Sequence, residues 1–184
     1  MKLRVVLIAL FLSFGTMGSS CVNEGVLVSV NLNPIIGRYK LGTNTTFGGI
    51  ITVKLDSLIS NEYKNKIKQA RVYDLKVKVE GEYPGTVSGV AAIQIGNGDL
   101  KQILRFPQAG VVNWSIFYTV QSLLNNSPYL SPQPDGINEL LRALTTTPLP
   151  NITVSTFGML SIAPVPNNLY VIVEVYLQAD VEIN

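Results

Sequence analysis

The chain has 184 residues, which is enough for one domain with a sizeable core, and its 14 basic and 12 acidic residues give a formal charge of +2. It contains no histidine and a single cysteine, Cys21. A Ser-His-Asp or Cys-His nucleophile therefore cannot be built, no cofactor is predicted, and a zinc, copper or haem site is not expected. The low charge also argues against a nucleic-acid partner, which needs a strongly basic surface.

The N-terminal 20 residues have the pattern of a secretory signal peptide. Lys2 and Arg4 precede an uncharged apolar run of about ten residues, Val5 to Phe14. A helix that spans a membrane needs roughly 20 such residues, so the run is too short for one. The sequence predicts a signal peptide over 1–20 and a mature chain over 21–184. Removal of Lys2 and Arg4 leaves 12 basic residues against 12 acidic ones, so the mature chain is neutral.

Ser19, Ser20 and Cys21 resemble the end of the lipobox of bacterial lipoproteins, although Gly18 stands where that motif has an aliphatic residue. The resemblance implies that the Cys21 thiol carries a diacylglyceryl group and forms the new N-terminus. It further implies the outer membrane, because Val22 is not the aspartate that retains many such proteins at the inner membrane. Secretion after ordinary cleavage and an uncleaved anchor are the alternatives.

Beyond a short polar tether, apolar and polar residues alternate with the period of two that is typical of half-buried strands. The clearest example is 73–80, where Tyr73, Leu75, Val77 and Val79 are predicted to face a core and Asp74, Lys76, Lys78 and Glu80 to face solvent. The same pattern occurs at 26–32, at 51–55 and, over a greater length, at 169–183, which predicts a central or well-paired final strand.

Turns and one helix separate these strands. Tyr83-Pro84-Gly85 predicts a type II turn, with 86–95 as the hairpin partner of the preceding strand, and residues 96–99 predict a second turn. Apolar residues at helical spacing predict a short helix near 136–145. The segment 60–70 reads as a loop or a single helical turn, and 111–124 as a strand followed by a loop.

About seven to nine strands, short turns and one short helix predict an all-β fold, an antiparallel β-sandwich, for the single domain. A transmembrane β-barrel is the competing all-β interpretation. It is disfavoured because Lys, Asp and Glu crowd the polar strand faces and aromatic residues do not recur at strand ends.

Four groups of residues are candidate sites, and each has a structural explanation as well. A carboxylate-only hydrolase would draw on Asp74, Glu80, Glu82, Glu174 and Asp180, although a solvated strand face explains the same pattern. Calcium would use Asp99, Asp135 and Glu139, but their spacing matches no ion-binding loop and no metal is predicted. Trp114, Phe117, Tyr118 and Tyr129 would form an aromatic platform or, more simply, part of the core. Sequons at Asn44, Asn113, Asn125 and Asn151 match the glycosylation pattern, but the signal is weak because about two such matches are expected by chance.

These patterns predict an exported, lipid-anchored envelope protein with a non-catalytic binding or structural role. Its partners are the membrane, reached through Cys21, and a protein or glycan that the sequence does not identify. Two alternatives stay open, a small carboxylate-dependent hydrolase and a subunit of a surface fibre or lattice joined through its sheet edges.

Overall fold

The computed structural model describes residues 25–42, 44–106, 130–163 and 167–183, and the backbone of 118–119. In this part of the chain ten antiparallel strands form two five-stranded sheets that pack face to face. The sheet that we name sheet A comprises β1 (Val26–Asn31), β2 (Ile35–Lys40), β4 (Ile67–Glu80), β7 (Tyr118–Thr119) and β10 (Tyr170–Ile183). Sheet B comprises β3 (Thr46–Lys54), β5 (Val87–Ile95), β6 (Lys101–Phe106), β8 (Ser131–Pro132) and β9 (Asn151–Leu160). The predicted all-β sandwich is confirmed.

The final strand is the centre of sheet A, as its length and alternation predicted. β10 pairs with β4 along one side, while β1 and β2 pair with successive halves of its other side. Every second residue from Val171 to Val181 is buried. This strand can be buried on one face and hydrated on the other because its alternation is unbroken over 12 residues or so.

Sheet B has the strand order β3-β9-β5-β6-β8, so β3 and β8 are its edges. Two helices accompany the sheets. The four-residue α1 (Leu55–Leu58) follows β3 directly, and α2 (Pro134–Leu144) packs against β4, β5 and β6 with Leu140 and Leu144 buried. The helix near 136–145 is confirmed. Helix α1 was not predicted, since Leu55 continues the strand alternation in the sequence.

The hairpin predicted between 73–80 and 86–95 is wrong. β4 lies in sheet A, whereas β5 pairs with β6 and β9 in sheet B, so the segment at 81–86 carries the chain from one sheet to the other. Gly85 does not have the positive φ that a type II turn requires at its third position, and the left-handed glycine is instead Gly81, at φ 118°. The turn predicted at 96–99 joins β5 to β6, with Gly96 at φ 55°.

Tyr73 was placed on the wrong face of its strand. Tyr176 pairs with Asp74, but the next residue, Leu177, pairs with Val72, so β4 carries one extra residue at Tyr73. A β-bulge of this kind shifts the alternation by one position. Val72 consequently packs against the core, while Tyr73 reaches the outer face of sheet A and Asp74 is buried.

Candidate functional site

The outer face of sheet A is charged and internally paired. Two of its ion pairs join the adjacent strands β4 and β10: Lys68 lies 2.5 Å from Glu182, and Arg71 lies 3.6 Å from Asp180. A third crosses over β10, where Arg38 of β2 lies 2.8 Å from Glu80 of β4. These pairs arise because strand alternation points every second residue of β2, β4 and β10 to the same side. We name this surface, the outward side chains of β2, β4 and β10, the charged face.

Two tyrosines on the charged face are covered by cations of the same chain. The Arg38 guanidinium lies 3.8 Å from the centre of the Tyr170 ring, and the Lys76 ammonium lies 4.3 Å from the centre of the Tyr176 ring. The Tyr176 ring also contacts Tyr73, with 5.7 Å between centroids. Each cation already occupies a ring face against which a sugar would stack.

The carboxylates predicted for a hydrolase lie on or near this face, and most of them contact partners in the same chain. Glu80 accepts hydrogen bonds from Arg38, which lower its pKa. Glu174 accepts a hydrogen bond of 2.6 Å from the Tyr176 hydroxyl, and Asp180 accepts one from Ser29. Glu82 lies exposed beyond the end of β4. A general acid needs a raised pKa, so the environment of Glu80 is opposite to what that role requires.

A second candidate is an open polar groove of about 620 Å³ between α2 and β6. It contains Asp135 and Glu139, two of the three carboxylates considered for calcium, but Asp99 does not line it. Glu139 is bound to Arg142 at 2.6 Å and lies 3.6 Å from the Lys101 ammonium, and these cations lower its pKa. Among the residues that the structure describes, no three acidic, Cys or His side chains cluster as metal ligands.

The outer face of sheet B is different, because it exposes apolar side chains. We name four of them, Ile50, Val90, Phe157 and Met159, the apolar patch. Ile50 is 71%, Met159 61% and Phe157 41% exposed. Val90 of β5 pairs directly with Phe157 of β9, and Ile50 of β3 pairs with Ser155, two residues from Phe157, so the patch has members on three adjacent strands. A shallow apolar depression of about 420 Å³ lies over its β5 and β9 part.

Sequence reasoning missed this patch. The alternation at 51–55 correctly predicted that Ile51 and Val53 face inward, where both pack against the core. No prediction was made for the exposed side chain of Ile50. The signal is the pair of consecutive isoleucines at 50–51, since adjacent residues in a strand point to opposite faces and one of the two must be outside unless both faces are covered. The consecutive apolar residues Met159 and Leu160 carry the same signal, and Met159 is the one outside.

Other predicted residues lie outside the described part of the chain. They are Cys21, Trp114, Phe117 and Tyr129, together with the side chain of Tyr118, whose backbone alone is described as part of β7. The sequons at Asn113 and Asn125 also fall there. Within the described ranges, no helix has both the length and the apolar character needed to cross a membrane.

No protein-family model matches the sequence, and neither does any curated protein. Among solved structures, the chain is similar to a protein chain of Desmodium yellow mottle tymovirus, with 14% identity, a TM-score of 0.31 and coverage of 86% of this chain and 90% of that one. It is also similar to a chain of tobacco necrosis virus, with 13% identity, a TM-score of 0.28 and coverage of 86% and 98%. Scores this low are no ground for a functional assignment.

Proposed function

We propose that this protein is an exported envelope component with a non-catalytic structural or binding role, anchored to the membrane through acyl chains on Cys21. Its working surface is the outer face of sheet B. The observation that carries the proposal is the apolar patch, whose largest exposed side chains lie on β3 and β9, two strands with a single charge, Lys54. Contiguous exposed apolar surface is uncommon on monomeric proteins and marks interaction sites.

Two features support a binding role over catalysis. Four of the five carboxylates that the sequence offered for hydrolysis, Asp74, Glu80, Glu174 and Asp180, lie against cations or hydroxyls of the same chain. The pKa of Glu80, and that of Glu139 in the groove beside α2, is lowered, not raised. The apolar patch, in contrast, can contribute free energy to the binding of a partner. Covering exposed apolar area contributes about 25 cal/mol for each Å² removed from water, and Ile50, Phe157 and Met159 are all available for it.

The proposed anchor places the sandwich close to the membrane. Cys21 and Val26, the first residue of β1, are five residues apart, which spans at most roughly 17 Å when fully extended. Each buried methylene of an acyl chain contributes about 0.8 kcal/mol, so two or more chains hold a protein stably. The partner of the apolar patch is therefore expected at the same membrane surface.

The anchor is tested by Cys21→Ser in the native host. We expect the processed variant to move from the membrane pellet to the soluble fraction, because the sulfur that would carry the lipid is gone, with its circular dichroism unchanged. Asn23→Ser, two residues further on, is the matched control and should stay in the pellet. A Cys21→Ser protein that is processed, folded and still membrane-bound would contradict the lipid anchor, and gel mobility separates this result from blocked processing.

The working surface is tested by a photo-reactive amino acid at Met159 and, as the matched control, at Ile36. Both positions are apolar and comparably exposed, at 61% and 52%, but Ile36 lies on the charged face of sheet A. Irradiation of intact cells should give a discrete adduct from position 159 and none from position 36. Equal labelling of the two positions, or labelling of position 36 alone, would contradict the assignment of the working surface to sheet B.

A further inference from the structure

The free edge of sheet B has none of the features that normally prevent edge pairing. In the described part of the chain, β3 forms its ladder with β9 only, over nine consecutive pairs with no register shift. It contains no proline, and its only charge is Lys54 at its last position. Sheet edges are usually protected by short length, bulges, prolines or charges in the strand, because unpaired backbone groups recruit further strands.

The other described edges are better protected. β8 and β7 have two residues each, and β8 includes Pro132. β2 carries Arg38 and Lys40 on its outer side. β1 is uncharged but only six residues long, and it shares its side of β10 with β2. A long and regular edge with a charge only at its last residue is therefore a particular property of β3 among these strands.

We propose that β3 pairs with β3 of a second copy of this chain, antiparallel and about a two-fold axis at Ile50. Antiparallel residues that lie opposite each other point to the same face. The two copies can therefore join their sheets only in a register that pairs outer with outer residues. Of these registers, the one centred on Ile50 pairs all nine residues of Thr46–Lys54, because Ile50 is the middle residue of the strand.

The charges and the apolar side chains of β3 both suit this register. Each Lys54 lies opposite Thr46 of the partner copy, and the two lysines are separated by about 27 Å, at roughly 3.4 Å for each residue. The two Ile50 side chains become direct cross-strand neighbours, with Cβ atoms about 5 Å apart. The apolar patches of the two copies then form one continuous surface. This inference concerns the edge of sheet B and goes beyond the proposed role of its outer face, which the pairing leaves uncovered.

Disulfide trapping tests the register. The full chain carrying Cys21→Ser has no other thiol. Ile50→Cys should give a cross-linked dimer under mild oxidation. A mixture of the Gly48→Cys and Thr52→Cys chains should form a mixed cross-linked dimer, because residue 48 of one copy lies opposite residue 52 of the other. Either variant alone should not cross-link, since the same position in the two copies is separated by four residues along the strand, or about 13 Å. A disulfide requires Cα atoms within about 7 Å. Gly48 tolerates the change, because a Cβ there would lie 3.8 Å from its nearest neighbour, the Phe157 Cβ.

Sedimentation of the full-length Cys21→Ser chain provides the second measurement. We expect this chain to sediment as a dimer. Ile50→Lys should convert it to a monomer, because two positive charges would then face each other at the axis. Phe157→Lys, which adds the same charge on β9, should leave the dimer intact. A monomer at every concentration, equal loss with both variants, or cross-links that ignore the register would each overturn the inference. If Met159 still labels a different protein in cells, the proposed function stands without the dimer. If neither position 159 nor position 36 labels while the register-specific cross-links form, the dimer stands and the assignment of the patch as a docking surface is lost.

Discussion

The two sheets share one core but differ on the sides that face water. On sheet A, outward Arg, Lys, Asp and Glu side chains form ion pairs across strands, and cations lie over Tyr170 and Tyr176. On sheet B, the outward residues of β3 and β9 include Ile50, Phe157 and Met159 and a single charge, Lys54. Sheet A pairs its outer charges within the chain, although it also exposes Leu27 and Ile36, whereas β3 and β9 of sheet B expose three large apolar side chains and one charge. The comparison indicates which surface is specialised for contact with another molecule.

The inner faces differ as well, and in a complementary way. Sheet A contributes mainly branched aliphatic side chains, such as Val173 and Leu177. Sheet B contributes glycines that leave room for aromatic rings. A Cβ on Gly49 would lie 2.2 Å from the Tyr39 ring, and one on Gly89 would lie 2.7 Å from Phe106. The Tyr39 ring crosses from sheet A to donate a hydrogen bond of 3.3 Å to the Val154 carbonyl of sheet B.

The strongest test of this packing is Gly158→Ala, in β9. The added Cβ would lie 2.0 Å from the Ser88 carbonyl oxygen and 2.7 Å from the Gly89 Cα, which are backbone atoms that cannot rotate away. We expect the free energy of unfolding to fall by about 3 kcal/mol or more, since overpacking of a core usually costs 1–3 kcal/mol even where side chains can adjust. Denaturant titration followed by circular dichroism measures the loss.

Gly48→Ala is the matched control, because Gly48 lies on the neighbouring strand β3, next to Phe47, which pairs with Gly158, but faces outward. Its new methyl group would make only an ordinary contact at 3.8 Å with Phe157. Where the backbone is compatible, Gly→Ala raises stability by about 0.4–1 kcal/mol through the unfolded chain. Equal destabilisation by the two variants would show that the inner face of sheet B is not built on glycine as described.

The buried and hydrated faces of β10 and of the second half of β4 were predicted well, whereas those of β5 and β9 were not, for a physical reason. β10 and the second half of β4 have one hydrated and one buried face, so Val171 to Val181 and Leu75 to Val79 alternate with polar residues and the pattern is visible. In β5 the three residues Ala91, Ala92 and Ile93 are all buried at a bulge, and β9 exposes Phe157. Alternation is lost where a strand is covered on both faces or exposes apolar residues on one.

Pairing between strands was less predictable than their existence. Nothing local distinguishes a turn that forms a hairpin from one that carries the chain between sheets, and residues 81–86 do the latter. The bulge at Tyr73 depends on β10, more than 100 residues away. The apolar patch likewise exists only when β3, β5 and β9 are assembled, so no single segment of sequence contains it.

Titration of Tyr176 sharpens the comparison at alkaline pH. The hydrogen bond that its hydroxyl donates to Glu174 raises its pKa to about 12. The fold therefore favours the neutral phenol, and this contribution is present below pH 10 or so and is lost as pH rises towards 12. We expect Glu174→Gln to return the pKa towards 10, measured by NMR of isotope-labelled tyrosine, with Tyr176→Phe used to assign the signal.

The control is Glu182→Gln, which removes another carboxylate of β10, the one paired with Lys68. The Tyr176 pKa should not change in that variant. A Tyr176 pKa that responds equally to both substitutions would mean that the overall charge of sheet A sets it, and the specific bond to Glu174 would then have no role in the shift.

The smallest effect is expected from the pair of Arg38 and Glu80 on the charged face. The hydrogen bond from Arg38 lowers the pKa of Glu80, and the folded state therefore favours the carboxylate. The resulting contribution to stability is present above the pKa of an unfolded glutamate and disappears as pH falls through the lower pKa of the folded state.

Because both side chains are well exposed, Arg38→Gln should leave the unfolding midpoint at neutral pH nearly unchanged. The pKa of Glu80 should nevertheless rise towards its ordinary value, measured by NMR titration of the side-chain carboxyl carbon, whereas Arg105→Gln on sheet B should not move it. A large loss of stability in Arg38→Gln would show that the ion pairs of the charged face are required for the stability of sheet A. The outer face of sheet A would then differ less from that of sheet B than the exposed pairs suggest.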